Sequence, residues 1–177
     1  MKVVVDEYQF EEGILEEWRH LVGVPLPKQM EIIFPDRDED FHLEVANRYR
    51  AIYDTMAIEI CPPFPHMKPL LRNLKDAGVV VTIASSKRSN LVQVVIDHHD
   101  LNDYFAMVVG AQEVTHHKPH PESVHITVAK LDIPHEHTIV IGDSTFDLDM
   151  ARNAGVDAIG VTTGVHTKEM LERSDPT

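Results

Sequence analysis

The sequence predicts an α/β fold, a doubly wound parallel sheet preceded by an N-terminal helical cap. Three observations carry that prediction. Residues 11–56 repeat apolar side chains at helical spacing, and a proline-rich break then ends the pattern. Beyond the break, short apolar runs alternate with helical segments, the order expected of parallel strands joined by helical crossovers. The residues with the most distinctive chemistry stand just after those runs, where open parallel sheets bind ligands.

In the first half, Ile14, Trp18, Leu21 and Val22 make one stripe, and Phe41, Val45, Tyr49, Ile52, Tyr53 and Met56 make another. Val24-Pro25-Leu26-Pro27 reads as the breaker between them, and Cys61-Pro62-Pro63-Phe64-Pro65 as a hinge. Leu70, Leu71 and Leu74 mark a helix that Gly78 ends, and residues 79–84 form a run expected to be a strand buried on both faces. Residues 91–96 are helical and 105–109 extended, while Pro121 opens a helix to about Leu131. Residues 138–141 read as a third buried strand, a helix closed by Gly155 follows, and 157–161 form the fourth strand. The expected organisation is a residual first strand within residues 1–10, a cap over 11–61 and an α/β core over 62–177.

The chain of 177 residues is 43% hydrophobic and 25% charged, values that suit a globular core rather than disorder. Its formal net charge of -13 argues against a nucleic-acid or anionic-membrane surface, since either needs a basic patch. A single cysteine, Cys61, excludes an internal disulfide, and no apolar run has membrane-spanning length. The expectation is a soluble cytoplasmic protein.

Three loops after the strands carry the chemistry. Gly142-Asp143-Ser144-Thr145-Phe146-Asp147 places two carboxylates one helical turn apart, hard oxygen donors suited to Mg2+. The plainer reading is Asp143 as a helix cap with Asp147 as a favourable first-turn charge. Lys118, bracketed by prolines in His116-His117-Lys118-Pro119-His120-Pro121-Glu122, can face both a carboxylate and a phosphate. Ser85 and Ser86, after the first run, can donate to a phosphoryl oxygen beside the amides of the next helix. Taken singly, that lysine is a surface residue and that serine a cap; their order along the sheet is what is informative.

The ordered set of Ser85 after an apolar strand, Lys118-Pro119-x-Pro121-Glu122 and Gly142-Asp143-Ser144-x-x-Asp147 resembles the later motifs of the haloacid-dehalogenase superfamily. The resemblance is to its phosphoglycolate-phosphatase and pyrophosphatase branch. Tyr49-Arg50, Pro63-Phe64-Pro65, Val108-Val109-Gly110-Ala111 and Thr163-Gly164-Val165 extend the similarity over roughly residues 21–177. The resemblance implies a magnesium-dependent phosphatase acting through an aspartyl-phosphate on a small phosphorylated metabolite or pyrophosphate. Ser85, Ser86 and Lys118 would hold the phosphoryl group and Asp143 with Asp147 the metal. A cap moving on the residue 62–65 hinge would admit substrate.

The family's first motif, an apolar strand ending in Asp-x-Asp-x-Thr/Val, has no clean copy. Asp6, after Val3-Val4-Val5, is the positional candidate for the nucleophile, with Tyr8 where the second acid belongs. An Asp-x-Tyr pattern occurs in dehalogenase relatives, but Asp143 and Asp147 look more like a phosphatase metal pair. Asp36-x-Asp38 is better read as helix-start acids. The short C-terminal stretch and the degenerate first motif together suggest a fragment, a mis-set start or a retired copy. The alternative expectation is a chain that binds phosphate and magnesium without turnover.

The histidine clusters at 98–99, 116–120 and 135–137 lack the spacing and the cysteines of a zinc site, so no zinc is expected. His117 and His120 are candidates for substrate contact, as is Arg50 from the cap. Lys87 and Arg88 are candidates for offsetting the acidic field near a phosphate.

Overall fold

A computed structural model describes every residue except Gly23 and Val165. Tertiary contacts divide the chain into two compact units, Met1–Met56 and Ala57–Thr177. The division falls inside the helix over residues 39–60 rather than at the proline-rich segment.

The first unit is helical throughout: α1 (Lys2–Glu7), α2 (Ile14–His20), α3 (Leu26–Ile33) and most of α4 (Glu39–Ile60). Residues 3–5, expected as a residual strand, are therefore a helical turn. The reason is tertiary. Val4 is fully buried with Trp18, Met30, Val45 and Ala46, and a single buried side chain per turn suits a helix. That packing overrides the strand preference of three valines. The Trp18 indole N–H donates to Gln29 Oε1 (2.7 Å), whose amide nitrogen donates to the Val24 carbonyl (2.6 Å). The expected breaker at Pro25 and Pro27 turns out to begin α3, since proline is tolerated where helical N–H groups lack partners. Asp38 Oδ1 accepts the Phe41 N–H (2.9 Å) at the start of α4, so it caps a helix, as its first-turn reading requires.

The second unit alternates helix and strand: α5 (Met67–Asp76), β1 (Val81–Ala84), α6 (Ser89–His98), β2 (Phe105–Val109), α7 (Glu122–Leu131), β3 (Ile139–Gly142), α8 (Thr145–Ala154), β4 (Asp157–Gly160) and α9 (Lys168–Glu172). Gly155, at φ 70°, takes the left-handed position that ends α8. β1 pairs with β2 and β3 with β4, both parallel, with Ala84 opposite Val109 and Gly142 opposite Gly160. The two pairs are separate sheets. They share a helical layer: Val124, Val128, Met150 and Ala154 pack with Ala84 from β1 and Val140 from β3.

Helices lie on both faces of the first pair. Leu71 and Ile96 from α5 and α6 meet Val81 and Ile83, while Ala84 meets α7 and α8. The second pair is covered on one face, where Val140 and Ala158 pack with Leu148, Ala151 and Leu171. Its other face leaves Ile139, Ile141 and Ile159 exposed at 49%, 61% and 44%. Val79 and Val80 lie ahead of β1 and are also exposed. Burial on both faces, expected for these runs, is thus met only in part. An unbroken apolar run reports hydrophobicity, not the presence of a second covering layer.

Candidate active site

Parallel pairing brings together the carboxyl ends of β1 and β2 and, separately, those of β3 and β4, and the polar loops follow those ends. At the end of β1, the Ser85 N–H donates to the Val109 carbonyl (2.8 Å), prolonging the ladder by one residue. The backbone then turns: Ser85 Oγ accepts the Lys87 N–H (3.1 Å), an arrangement that leaves the hydroxyl proton to donate elsewhere. Ser86 is exposed beside it. Ser85, Ser86 and Lys118 line one narrow recess of about 10 Å3, room for a single water-sized group.

Lys118 comes from the loop between β2 and α7, across a cis bond to Pro119. Its Nζ donates to the Ala84 carbonyl (3.0 Å) and to Asp147 Oδ1 (2.6 Å). One ammonium thereby ties the end of the first strand pair to the first turn of α8. Glu122 fixes that loop from behind. Its carboxylate accepts the N–H groups of Thr115 and His116, each at 2.8 Å, and His116 Nδ1 at 2.9 Å. The two backbone N–H groups, Thr115 first, and then the His116 ring pull its pKa down to about 2.

At the end of β3 the loop is built around Asp147. Its Oδ2 accepts from Ser144 Oγ (2.6 Å) and Ser144 N–H (3.2 Å), while its own N–H donates to Ser144 Oγ (3.3 Å). The pair forms a reciprocal capping box, so Ser144, not Asp143, caps α8. The approach is close: a Cβ added at Gly142 would run into the Asp147 side chain. Asp143 is half-buried, and a Cβ at Gly164 would strike its carboxylate. Among the described residues, no hydrogen-bond or ion partner is found for the Asp143 carboxylate.

Asp143 offers a hard, unshared carboxylate, which fits magnesium. Asp147 Oδ1 accepts from Lys118 alone and keeps a lone pair, while Oδ2 is taken up by Ser144. One cation against two carboxylates leaves the edge acidic, so an arriving phosphate needs further positive charge. Asp143 and Asp147 together offer the hard oxygen donors that magnesium takes.

Asp6 stands apart from this description. It lies exposed on α1 in the first unit, paired with Lys2 at 2.7 Å, and does not end a strand. The expectation of a strand-end nucleophile at Asp6 is corrected on that point. The Thr163-Gly164-Val165 similarity falls partly outside the described residues, at Val165. Next to it is a residue the sequence did not single out: buried His166, whose Nδ1 accepts the Thr145 N–H (3.0 Å) at the start of α8. As one of twelve histidines it carried no signal, and only folding sets it against the residue 143–147 loop.

Fold and site together define an α/β protein with an oxygen-rich polar site on the carboxyl edge of its parallel strands. The chain belongs to the haloacid dehalogenase-like hydrolase family, whose profile matches residues 1–161. IndB of Dickeya dadantii, described as a probable phosphatase, is 35% identical over 161 residues, covering 89% of this chain and 70% of that protein. Phosphoglycolate phosphatase of Salmonella typhi is 29% identical over 147 residues, covering 80% of this chain. The chain spans only 58% of that enzyme's length. Among solved structures, a Bacteroides fragilis protein described as a haloacid dehalogenase-like hydrolase superposes with a TM-score of 0.86 at 27% identity, covering 97% of this chain and 82% of that one. A Clostridium acetobutylicum protein at 22% identity matches in fold, with a TM-score of 0.84 over 98% of this chain and 80% of its own. No described helix is long and apolar enough to cross a membrane.

Proposed function

We propose that this protein is a magnesium-dependent phosphatase of the phosphoglycolate-phosphatase type, acting on a small phosphorylated metabolite or on pyrophosphate. The observation that carries the reading is the Lys118 ammonium, held between the Ala84 carbonyl and Asp147 at the strand ends. With two acceptors met, the ammonium keeps a third N–H to offer an incoming anion.

In this reading the phosphoryl group lies at the mouth of the recess, with Lys118 and the Ser85 hydroxyl on its oxygens. Ser86 and the amides at the start of α6 lie alongside. Asp143 and Asp147 hold the metal, and Asp147 also orients Lys118. Magnesium, when bound, would neutralise the phosphate against this acidic edge. Glu122 keeps the Lys118 loop in register, and His166 steadies the backbone at Thr145. The single cysteine and the acidic surface support a cytoplasmic setting.

Hydrolysis through an aspartyl-phosphate requires an acid beside Ser85. A carboxylate oxygen bonds to phosphorus as the ester P–O bond breaks, and the departing oxygen takes a proton. Water then attacks the acyl phosphate, returning the carboxylate and releasing phosphate. Asp6, the positional candidate, lies on a helix paired with Lys2 and does not end a strand.

The test is phosphate release from 2-phosphoglycolate, pyrophosphate and an aryl phosphate across a magnesium titration, with Lys118→Met and Asp143→Asn alongside. Magnesium-dependent release lost in both variants is the expected result. No release, while inorganic phosphate with magnesium still raises the melting temperature of the parent but not of Lys118→Met, would mean binding without turnover. No release and no shift would overturn the proposal.

A further inference from the structure

The Lys118 loop also brings two histidines up to the Glu122 carboxylate that anchors it. His116 and His120 lie on either side of Lys118 in sequence, and their rings stack with centroids 4.4 Å apart at 30°. Glu122 Oε2 lies 2.9 Å from His116 Nδ1 and 3.9 Å from His120 Nδ1. Each of the three residues offers a donor atom within 4.8 Å of the other two.

His120 Nδ1 accepts the Glu122 N–H at 3.3 Å, which holds the ring against Glu122 and leaves its second ring nitrogen to meet a cation. His116 Nδ1 lies 2.9 Å from Glu122 Oε2, and a cation between them would take the place of that hydrogen bond. Both rings are substantially exposed, at 63% and 48% of the side chain, so they can close the short distance to metal-ligand geometry without disturbing a core. His125 lines the same shallow depression, which leaves an imidazole near the open side.

We propose that His116, His120 and Glu122 form a binding site for a borderline divalent transition metal such as zinc, separate from the Asp143 edge. Two imidazoles and one carboxylate select zinc, nickel or copper over magnesium, which prefers oxygen and holds its waters. An ion there would clamp the loop on both sides of Lys118. Spacing along the chain argued against zinc at this cluster; the proposal rests instead on the loop that brings His116, His120 and Glu122 together.

The site stands independently of the phosphatase reading, and its test needs no turnover. Metal-free full-length protein is titrated with Co2+ in the presence of millimolar magnesium, reading the visible d–d bands and bound metal per chain after dialysis. One equivalent is expected, displaced by Zn2+ and unaffected by Asp143→Asn. His116→Ala and His120→Ala should each weaken binding at least about tenfold. Circular dichroism confirms that these exposed substitutions leave the fold intact. Cobalt binding that persists at parent strength in the double His116→Ala, His120→Ala variant, or no stoichiometric binding at all, would overturn the proposal.

Discussion

Lys118 Nζ and Asp147 Oδ1 meet at 2.6 Å with only 14% and 12% of their side chains exposed. They join a loop leaving β2 to the first turn after β3. Replacing Lys118 by Met leaves Asp147 facing an apolar chain in a nearly dry site. The expected cost is about 3 kcal/mol, the scale for breaking a buried pair. Urea unfolding followed by circular dichroism measures it. A loss near zero would mean that the pair is not buried in solution.

Gly164 and Asp143 make a complementary prediction. Gly164→Ala pushes a methyl group against the Asp143 carboxylate. Stability should fall by about 1–3 kcal/mol, the usual range for overpacking. On the phosphatase reading, the magnesium concentration for half-maximal activity should also rise, because the carboxylate and not the backbone is displaced. An unchanged magnesium dependence would remove Asp143 from the metal assignment.

Asp6 provides the contrasting case. Asp6→Asn removes an exposed i,i+4 pair with Lys2, worth about 0.3–0.5 kcal/mol. Phosphate release should be unchanged. Activity abolished by this substitution would restore Asp6 as the attacking carboxylate and show that α1 is not the working conformation of residues 2–7.

Glu122 predicts a pH dependence. Its pKa falls from 4.5 to about 2 on folding, so the folded state favours the ionised form. Its contribution is fully present above about pH 4.5 and is lost as the pH falls toward 2. Melting temperatures measured from pH 6 to pH 2 should therefore drop less steeply for Glu122→Gln, which starts lower and has no proton to take up. Parallel curves would show that the loop anchors do not depend on the charge.

Trp18 is the sole tryptophan and belongs to the helical unit, so its fluorescence reports on that unit. Gln29→Met leaves its buried indole N–H without a partner and should destabilise the unit by about 1–3 kcal/mol. Fluorescence-detected unfolding should shift accordingly. No shift would mean that water reaches the indole.

The sequence alone determined the alternation of strands and helices in the second unit, because apolar period and glycine or proline punctuation are local properties of the chain. It also determined which residues stand after β1, β2 and β3, and Lys118 joins the end of β1 to the turn after β3. Tertiary structure decided the rest. Residues 3–5 read as a strand by propensity, yet burial of Val4 against Trp18 and Met30 made them helical. Asp143 and Asp147 read as an equivalent pair, but the capping box with Ser144 and the bond to Lys118 left only Asp143 unshared. His116, His120 and Glu122 have no helical metal spacing, and a loop closed by Glu122 on the Thr115 and His116 amides brought them together. In each case the deciding interaction joins groups whose separation depends on the folded backbone. Periodicity along the chain holds no record of it.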